Sequence, residues 1–163
     1  MSEANKDNCH SCCNLGMTFA HLIARLFVAM RLFMAGLDKF RSGDGPNVSF
    51  SLDNYAAKTD RIAKLMSDNS CLPASLCGPY AHSIGYILLA VGVWSAIGIM
   101  TEFSLLAAGL TFLSLGFGLS ALPDDMELTA NIGMCVLVTV AALVTAKHKG
   151  LSADGILFGR KKG

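Results

Sequence analysis

Four long apolar stretches divide the chain, and polar segments separate them. The stretches run over residues 17–40, 81–100, 103–122 and 128–146. Each approaches or exceeds the roughly 20 residues that a helix needs to cross the hydrocarbon core of a bilayer. Lipid cannot satisfy backbone N–H and C=O groups, so each stretch must be helical, and the alternating pattern of a membrane barrel is missing from the sequence. The pattern predicts an all-α integral membrane protein built as a four-helix bundle.

An amphipathic helix is predicted in the polar segment between the first and second spans. It begins after Ser51, a good N-cap residue, and apolar or small residues recur on one face, interrupted by Thr59. That face comprises Leu52, Tyr55, Ala56, Ile62, Ala63 and Met66. The simplest interpretation is a lid that lies on the bundle or in the membrane interface. The alternative is a docking face for a partner subunit. Pro73, Gly78 and Pro79 are predicted to break the chain before the second span.

Basic residues predict the orientation of the spans. The tail at 147–163 carries five Lys and Arg residues, whereas the last interhelical loop, 123–127, carries none. By the positive-inside rule the C-terminus is then cytoplasmic, and four crossings place the N-terminus there too. The four basic residues of the outer loop, 41–80, argue against this orientation. We expect a cytoplasmic head at 1–16, one membrane domain at 17–146, and a multi-pass location in the cell (inner) membrane.

The composition agrees with a membrane protein and excludes two other classes. Apolar residues make up 53% of the 163 residues and charged residues only 15%, whereas soluble domains carry about 25% charged residues. An ordinary soluble enzyme domain is therefore excluded. The net charge of +1 leaves no basic excess to neutralise a phosphate backbone. The expected partners are membrane lipids and other membrane subunits, and no nucleic acid.

Arg31 is the most informative residue of the first span. It lies about 14 residues from the start of the stretch, roughly 20 Å along a helix. The other three spans have no acidic residue in their interiors, and Asp38 lies two turns away on the same helix. An ionisable group at this depth is a functional candidate by default. We expect Arg31 to contact a carboxylate of another subunit, an anionic or quinone-type ligand, or backbone carbonyls at a helix break.

Arg25 and His21 form a second pair of candidates, one helical turn apart near the cytoplasmic end of the first span. One interpretation is that Arg25 and His21 contact a ligand or a subunit. The other is that Arg25 extends its guanidinium to lipid phosphates. Axial haem ligation is not expected, because His21, His82 and His148 lie at different depths or beyond the spans. His21 is therefore predicted to be an interfacial histidine. No cofactor is assigned from the sequence, although a quinone or a lipid would suit the arginines.

The six cysteines fall into two groups and a single residue. In the head, Cys9, His10, Cys12 and Cys13 contain the donors for a tetrahedral zinc site, but their spacing is crowded. A reduced disordered head, lipid attachment and thiol redox chemistry are the alternatives. Cys71 and Cys77 lie in the predicted outer loop, where an oxidising compartment favours a disulfide. Cys135, in the middle of the fourth span, is predicted to pack in the core.

Several segments, in order along the chain, resemble the DoxX/DoxD family of membrane proteins. They are Arg25-Leu26-Phe27, Phe33-Met34-Ala35-Gly36-Leu37-Asp38-Lys39-Phe40, Leu72-Pro73, Gly92, Gly98-Ile99-Met100-Thr101 and Gly150-Leu151-Ser152-Ala153-Asp154. The resemblance covers residues 24–157 and implies a four-helix membrane protein associated with redox complexes. Many members carry an acidic residue four positions before the glycine matched by Gly92, and this chain has Leu88 there.

Three functions follow as hypotheses. The resemblance favours an anchoring or accessory subunit of a quinone-linked redox complex, without catalysis of its own. One alternative is the membrane subunit of a thiosulfate:quinone-type oxidoreductase, in which Arg25 and Arg31 hold an anion or the quinone. The other is a membrane thiol oxidoreductase that uses Cys71 and Cys77, although these residues lack the C-x-x-C spacing.

Overall fold

The computed structural model describes the backbone of residues 3–43, 45–69, 73–120 and 128–148, and the side chains of most of these from Leu15 onward. The α-helices of this part of the chain are α1 (Glu3–Phe40), α2 (Leu52–Asn69), α3 (Ala74–Ile97), α4 (Thr101–Ser120) and α5 (Met134–Val144). A π-helical turn, Leu128–Gly133, leads into α5, and a 3-10 turn, Ala146–His148, follows it. The predicted all-α class is confirmed.

Three helices contain segments long and apolar enough to cross a membrane. These segments are Leu15–Phe40 in α1, Ser75–Ile97 in α3 and Thr101–Leu119 in α4. The fourth predicted span corresponds to a shorter apolar segment, Ala130–Val144. Its crossing of the membrane therefore stays a prediction.

The long helices pack around one apolar core. α1 packs against α3 and α5, and α4 packs against the same two helices. Leu32, Leu88 and Leu105, all fully buried, lie in this core with Cys135, so the predicted packing role of Cys135 is confirmed. The outer faces of all four helices are apolar too: Ile23, Ile97, Leu110 and Leu137 are each at least half exposed. Such continuous apolar exposure is typical of a surface that faces lipid.

Glycine allows α1 and α3 to approach closely. A Cβ atom on Gly92 would lie 2.9 Å from the Phe33 nitrogen and 3.2 Å from the Ala29 oxygen, both backbone atoms of α1. From the other side, a Cβ on Gly36 would lie 3.0 Å from the Leu89 nitrogen. No side chain fits between the two backbones at these points. Small residues that let helix backbones approach in this way are a recurring feature of membrane helix interfaces.

The second span differs from its predicted bounds at both ends. α3 begins at Ala74, directly after its N-cap Pro73, and continues through Gly78 and Pro79. The predicted break is therefore confirmed at Pro73 and wrong at Gly78 and Pro79. Proline is tolerated in membrane helices because neighbouring groups re-satisfy the freed carbonyl. α3 ends three residues early because Gly98 adopts a left-handed conformation, with φ of 75°, and donates its N–H to the Trp94 carbonyl. A tight turn then reverses the chain into α4.

A short hairpin joins α1 to the helix of the outer loop. Strand β1 (Arg41–Ser42) pairs antiparallel with β2 (Ser49–Phe50). After it, the Ser51 hydroxyl accepts a hydrogen bond of 3.1 Å from the Asn54 N–H, as the first cap of α2. The amphipathic helix predicted to follow Ser51 is therefore present. It packs on α3 and α1.

Candidate functional site

The structure places Arg31 in an open cleft of about 340 Å³ between α1, α4 and the start of α5. Asp38 and Lys39 line the same cleft from α1, and Asn131 lines it from the π-helical turn before α5. The remaining lining residues are apolar apart from Cys135: Met34, Ala35, Leu88, Phe112, Leu115, Leu119 and Ile132. The cleft therefore combines a cationic, hydrogen-bonding side with apolar walls.

Asp38, the predicted nearest partner of Arg31, is engaged elsewhere. Its carboxylate Oδ2 lies 3.5 Å from Nζ of Lys58 on α2, and the same ammonium donates a 2.7 Å hydrogen bond to the Asp38 carbonyl oxygen. Within the described residues, neither a hydrogen bond nor an ion pair reaches the Arg31 guanidinium. Arg31 thus presents an exposed cation to the cleft.

Leu88 shows why α3 supplies no carboxylate to the cleft. It lies four residues before Gly92, is fully buried, and forms part of the cleft wall near Arg31. An acidic residue at this position would enter the same cleft. With leucine there, a negative group for Arg31 has to come from outside the described part of the chain.

The π-helical turn shapes one rim of the cleft. Leu128–Gly133 is wound as a π-helix, and its Asn131 and Ile132 line the site. Such turns are rare and occur often at functional sites, because the wider winding redirects side chains. The apolar periodicity of the fourth span gave no signal of it, since the turn changes the winding and not the hydrophobic pattern.

His21 and Arg25 lie inside the helix assembly and not on its surface. Their exposed fractions are 2% and 4%. Nδ1 of His21 is 3.0 Å from the Ala142 carbonyl oxygen and 3.3 Å from the Thr145 hydroxyl, so His21 joins α1 to the end of α5. An Arg25 side chain that is only 4% exposed does not extend to lipid phosphates, whereas the interfacial depth of His21 stays a prediction. Contact of either residue with a ligand or a subunit stays a prediction.

An aromatic cluster attaches α2 to the membrane helices, at the end of α1 opposite His21. The ring of Tyr55 stacks on Phe40 with centroids 4.4 Å apart and meets Tyr86 edge-on at 5.0 Å. The Tyr55 hydroxyl donates to the His82 carbonyl oxygen of α3. Burial raises the pKa of Tyr55. Its phenol therefore stays neutral while α2 is docked, and pH values above the ordinary tyrosine pKa of about 10 favour release of α2.

Thr59 and His82 form the polar centre of the same interface. Thr59 is fully buried. Its hydroxyl lies 2.9 Å from Nδ1 of His82, and Nε2 of His82 lies 3.0 Å from Asp60. From the sequence, Thr59 was an interruption of an apolar face and His82 a residue at the start of the second predicted span. A polar pair across an interface leaves no trace in hydrophobic periodicity, so this contact could not be predicted.

Gly85 provides a test of the α2 lid. A Cβ atom there would lie 2.5 Å from Cε2 of Tyr55. Gly85→Ala should therefore displace the Tyr55 ring and weaken lid docking by about 1–3 kcal/mol. Trypsin should then cut faster after Arg61 and Lys64 of α2. The matched control is Gly78→Ala in the same helix, where a Cβ meets nothing within 4 Å, and equal cleavage of the two variants would contradict this arrangement.

The remaining sequence candidates are only partly described. Cys77 is a free thiol with 2% exposure, while Cys71 lies outside the described residues, so their disulfide stays a prediction.

The backbone around Cys9 and Cys13 is helical and continuous with α1, unlike the disordered alternative. The side chains of the head cluster lie outside the described residues, as does residue 154 with the rest of the tail motif. Among the described residues, His, Cys, Asp and Glu do not form a metal-binding group of three.

Comparison with known proteins returned no match: no family model, no curated protein and no solved structure is similar to the chain.

Proposed function

We propose that the protein is a DoxX-like integral membrane subunit with four spans that serves as an anchoring or accessory subunit of a quinone-linked redox complex. The order and spacing of the segments that resemble DoxX/DoxD proteins support this proposal. The three helices able to cross a membrane support its location. The apolar outer faces of α1, α3, α4 and α5 support a fourth span in the same bilayer.

The cleft around Arg31 is the observation that carries the proposal. A cation at the midplane costs about 2.5–3.5 kcal/mol on insertion scales. The described residues offer Arg31 no ion pair, and Asp38 already faces Lys58. A contact made only in the assembled state offsets that cost. Arg31 therefore marks the place where this subunit meets a group from outside the chain.

The cleft also favours a second candidate function, in which the subunit itself binds the quinone or an oxidised sulfur anion. Its volume of about 340 Å³ lies within the usual range of small-molecule sites, about 300–1,000 Å³. The guanidinium of Arg31 and the amide of Asn131 both line it and can donate hydrogen bonds to carbonyl or anionic oxygens. The third hypothesis, thiol chemistry at Cys77, gains no support from a thiol that is 2% exposed.

Purification in a gentle detergent distinguishes these functions. The accessory role predicts a stable set of other subunits on native gels and quinone-linked activity only in the assembled complex. Thiosulfate-dependent quinone reduction by the isolated chain would establish the second function in place of the first. A trapped mixed disulfide with a partner would establish the third. Recovery of the isolated chain with none of these properties would contradict all three.

A further inference from the structure

We infer that a second copy of this chain packs against the outer face of α4, so that the protein forms a two-fold symmetric dimer in the membrane. The contact surface is a single row of large apolar residues, called here the α4 ridge. The ridge consists of Phe103, Leu106, Leu110, Leu113 and Phe117. A dimer of this kind goes beyond the redox role and does not depend on it.

The ridge has the spacing of a helix–helix seam. Its residues follow one another at intervals of three, four, three and four, the heptad spacing of the a and d positions. Their exposed fractions lie between 51% and 64%. On a straight helix the five residues fall within a strip only about 80° wide. A stripe restricted to a and d positions is typical of the narrow seam between two coiled helices.

Small residues flank the ridge on both sides. Ala107 and Ser114 follow d residues, at the e positions of the heptad, and Gly109 and Gly116 precede a residues, at the g positions. The large side chains therefore rise between two low borders. Small residues at such positions let the backbones of membrane helices approach each other closely. A second helix can place its own large residues over these borders, as knobs enter holes.

The exposed faces of α1 and α3 are broader than the ridge. On α1 the exposed apolar residues include the adjacent pair Phe33 and Met34, and on α3 the adjacent pair Tyr86 and Ile87. Neighbouring residues project about 100° apart around a helix, so these faces are wide apolar bands. Fluid lipid suits such a band because it imposes no register. The narrow ridge with its low borders is instead shaped for another helix.

The depth of the ridge restricts what can cover it. Leu110 lies at the middle of the apolar segment Thr101–Leu119. A polar loop at that depth would leave its backbone N–H and C=O groups unsatisfied in lipid. The middle of the ridge therefore meets either lipid or another membrane-spanning helix.

A second copy fits the ridge by symmetry. Two copies inserted in the same direction are related by a two-fold axis along the membrane normal, which makes their α4 helices parallel. Each ridge residue then meets its own counterpart, so the two surfaces match in size along the whole seam. The five exposed side chains present about 500 Å² per copy. The dimer would bury about 1,000 Å² in total, which reaches the area expected of a specific interface.

The rest of α4 is compatible with this contact. Phe112, Leu115 and Leu119 line the Arg31 cleft, and at 100° per residue they lie on the opposite side of α4 from the ridge. The dimer therefore leaves the cleft open. Glu102 precedes the first ridge residue, at a g position, which in a parallel seam faces the e position of the other copy and not the second Glu102.

Cysteine cross-linking in native membranes tests the contact. Leu110→Cys places a thiol on the ridge, and Val140→Cys places one on the exposed face of α5 as the matched control. Both variants keep the native cysteines, so any background cross-linking is the same. A disulfide requires Cα atoms within about 7 Å, which facing a positions of a two-helix seam satisfy. Under a mild oxidant, Leu110→Cys should give several-fold more covalent dimer than Val140→Cys and the parent. Equal yields from the two variants would overturn the inference.

A second measurement uses no thiol and leaves the helix interior unchanged. Energy transfer between donor-labelled and acceptor-labelled full-length copies in liposomes measures association over a range of lipid-to-protein ratios. The double variant Leu110→Ala with Leu113→Ala should associate roughly tenfold more weakly than the parent, because side-chain packing drives the association of membrane helices. The control, Leu137→Ala with Val140→Ala, truncates two exposed residues of α5 and should associate like the parent.

Three results would contradict a dimer through the ridge. A parent that shows no energy transfer at any lipid-to-protein ratio would mean that lipid covers α4. Equal weakening in the α4 and α5 double variants would place the contact on another face. Cross-linking of Leu110→Cys to a different protein in native membranes, without a dimer of this chain, would assign the ridge to a partner subunit.

Discussion

Gly92→Ala should destabilise the helix assembly by about 1–3 kcal/mol, although alanine is the better helix former by about 1 kcal/mol. The added methyl would lie 2.9 Å from the Phe33 nitrogen and 3.2 Å from the Ala29 oxygen. Both atoms belong to the backbone of α1, so no side-chain rotation can relieve the clash. α1 and α3 have to move apart, and the contacts of Leu32 and Leu88 in the core loosen with them.

Reversible unfolding in mixed detergent micelles measures this effect. Gly109→Ala is the matched control, because its Cβ would make an ordinary contact of 3.5 Å with Cγ2 of Thr139. We expect that control to be neutral or slightly stabilising. If Gly92→Ala were as stable as Gly109→Ala, the close approach of α1 and α3 would be wrong.

Arg31→Leu should insert and fold at least as well as the parent but lose its place in the native complex. Removing the cation removes an unfavourable insertion term of about 2.5–3.5 kcal/mol. It also removes the group that meets a lipid or subunit from outside the chain, and truncating one member of a desolvated charge pair costs about 2–5 kcal/mol of association. Protease mapping measures insertion, and native gels measure assembly. We expect assembly to fall at least tenfold with insertion unchanged.

Arg31→Lys separates charge from geometry at the same position. An ammonium keeps the charge but cannot donate two parallel hydrogen bonds to one phosphate or carboxylate. Assembly should therefore recover only in part. Normal assembly and function of Arg31→Leu would show that Arg31 merely reaches toward the interface, and the role assigned to the cleft would be wrong.

Hydrophobic periodicity predicted the helices well because a spanning helix needs apolar residues throughout its length. The helix after Ser51 followed from a cap and a repeating apolar face. The ends were less predictable, since they depend on single backbone conformations. Gly98 ends α3 with a positive φ, while Pro79 is accommodated inside it. The average hydropathy of a stretch of sequence predicts neither the end of α3 at Gly98 nor the inclusion of Pro79.

The site was predictable only where depth alone was decisive. Arg31 could be chosen because a cation far from both interfaces is costly wherever its side chain points. His21 and Arg25 could not be placed, because their burial depends on which face of α1 meets α5. The role of Lys58 was also hidden, since its contact with Asp38 requires the hairpin to fold α2 back over α1.

The glycines in the segments that resemble DoxX/DoxD proteins have structural roles in this fold. Gly92 admits the α1 backbone, and Gly98 ends α3. The Thr101 hydroxyl donates to the Gly98 carbonyl at 3.1 Å and stabilises the turn into α4.

Topology mapping tests the central claim most directly, because the account requires four crossings with both termini in the cytoplasm. A reporter that is active only outside the cytoplasm is fused after Gly163 or inserted near Asn47, in the turn between β1 and β2. The account predicts an inactive fusion after Gly163 and an active insertion near Asn47. Activity at both positions would mean that α5 does not cross the membrane. The reverse pattern would contradict the orientation.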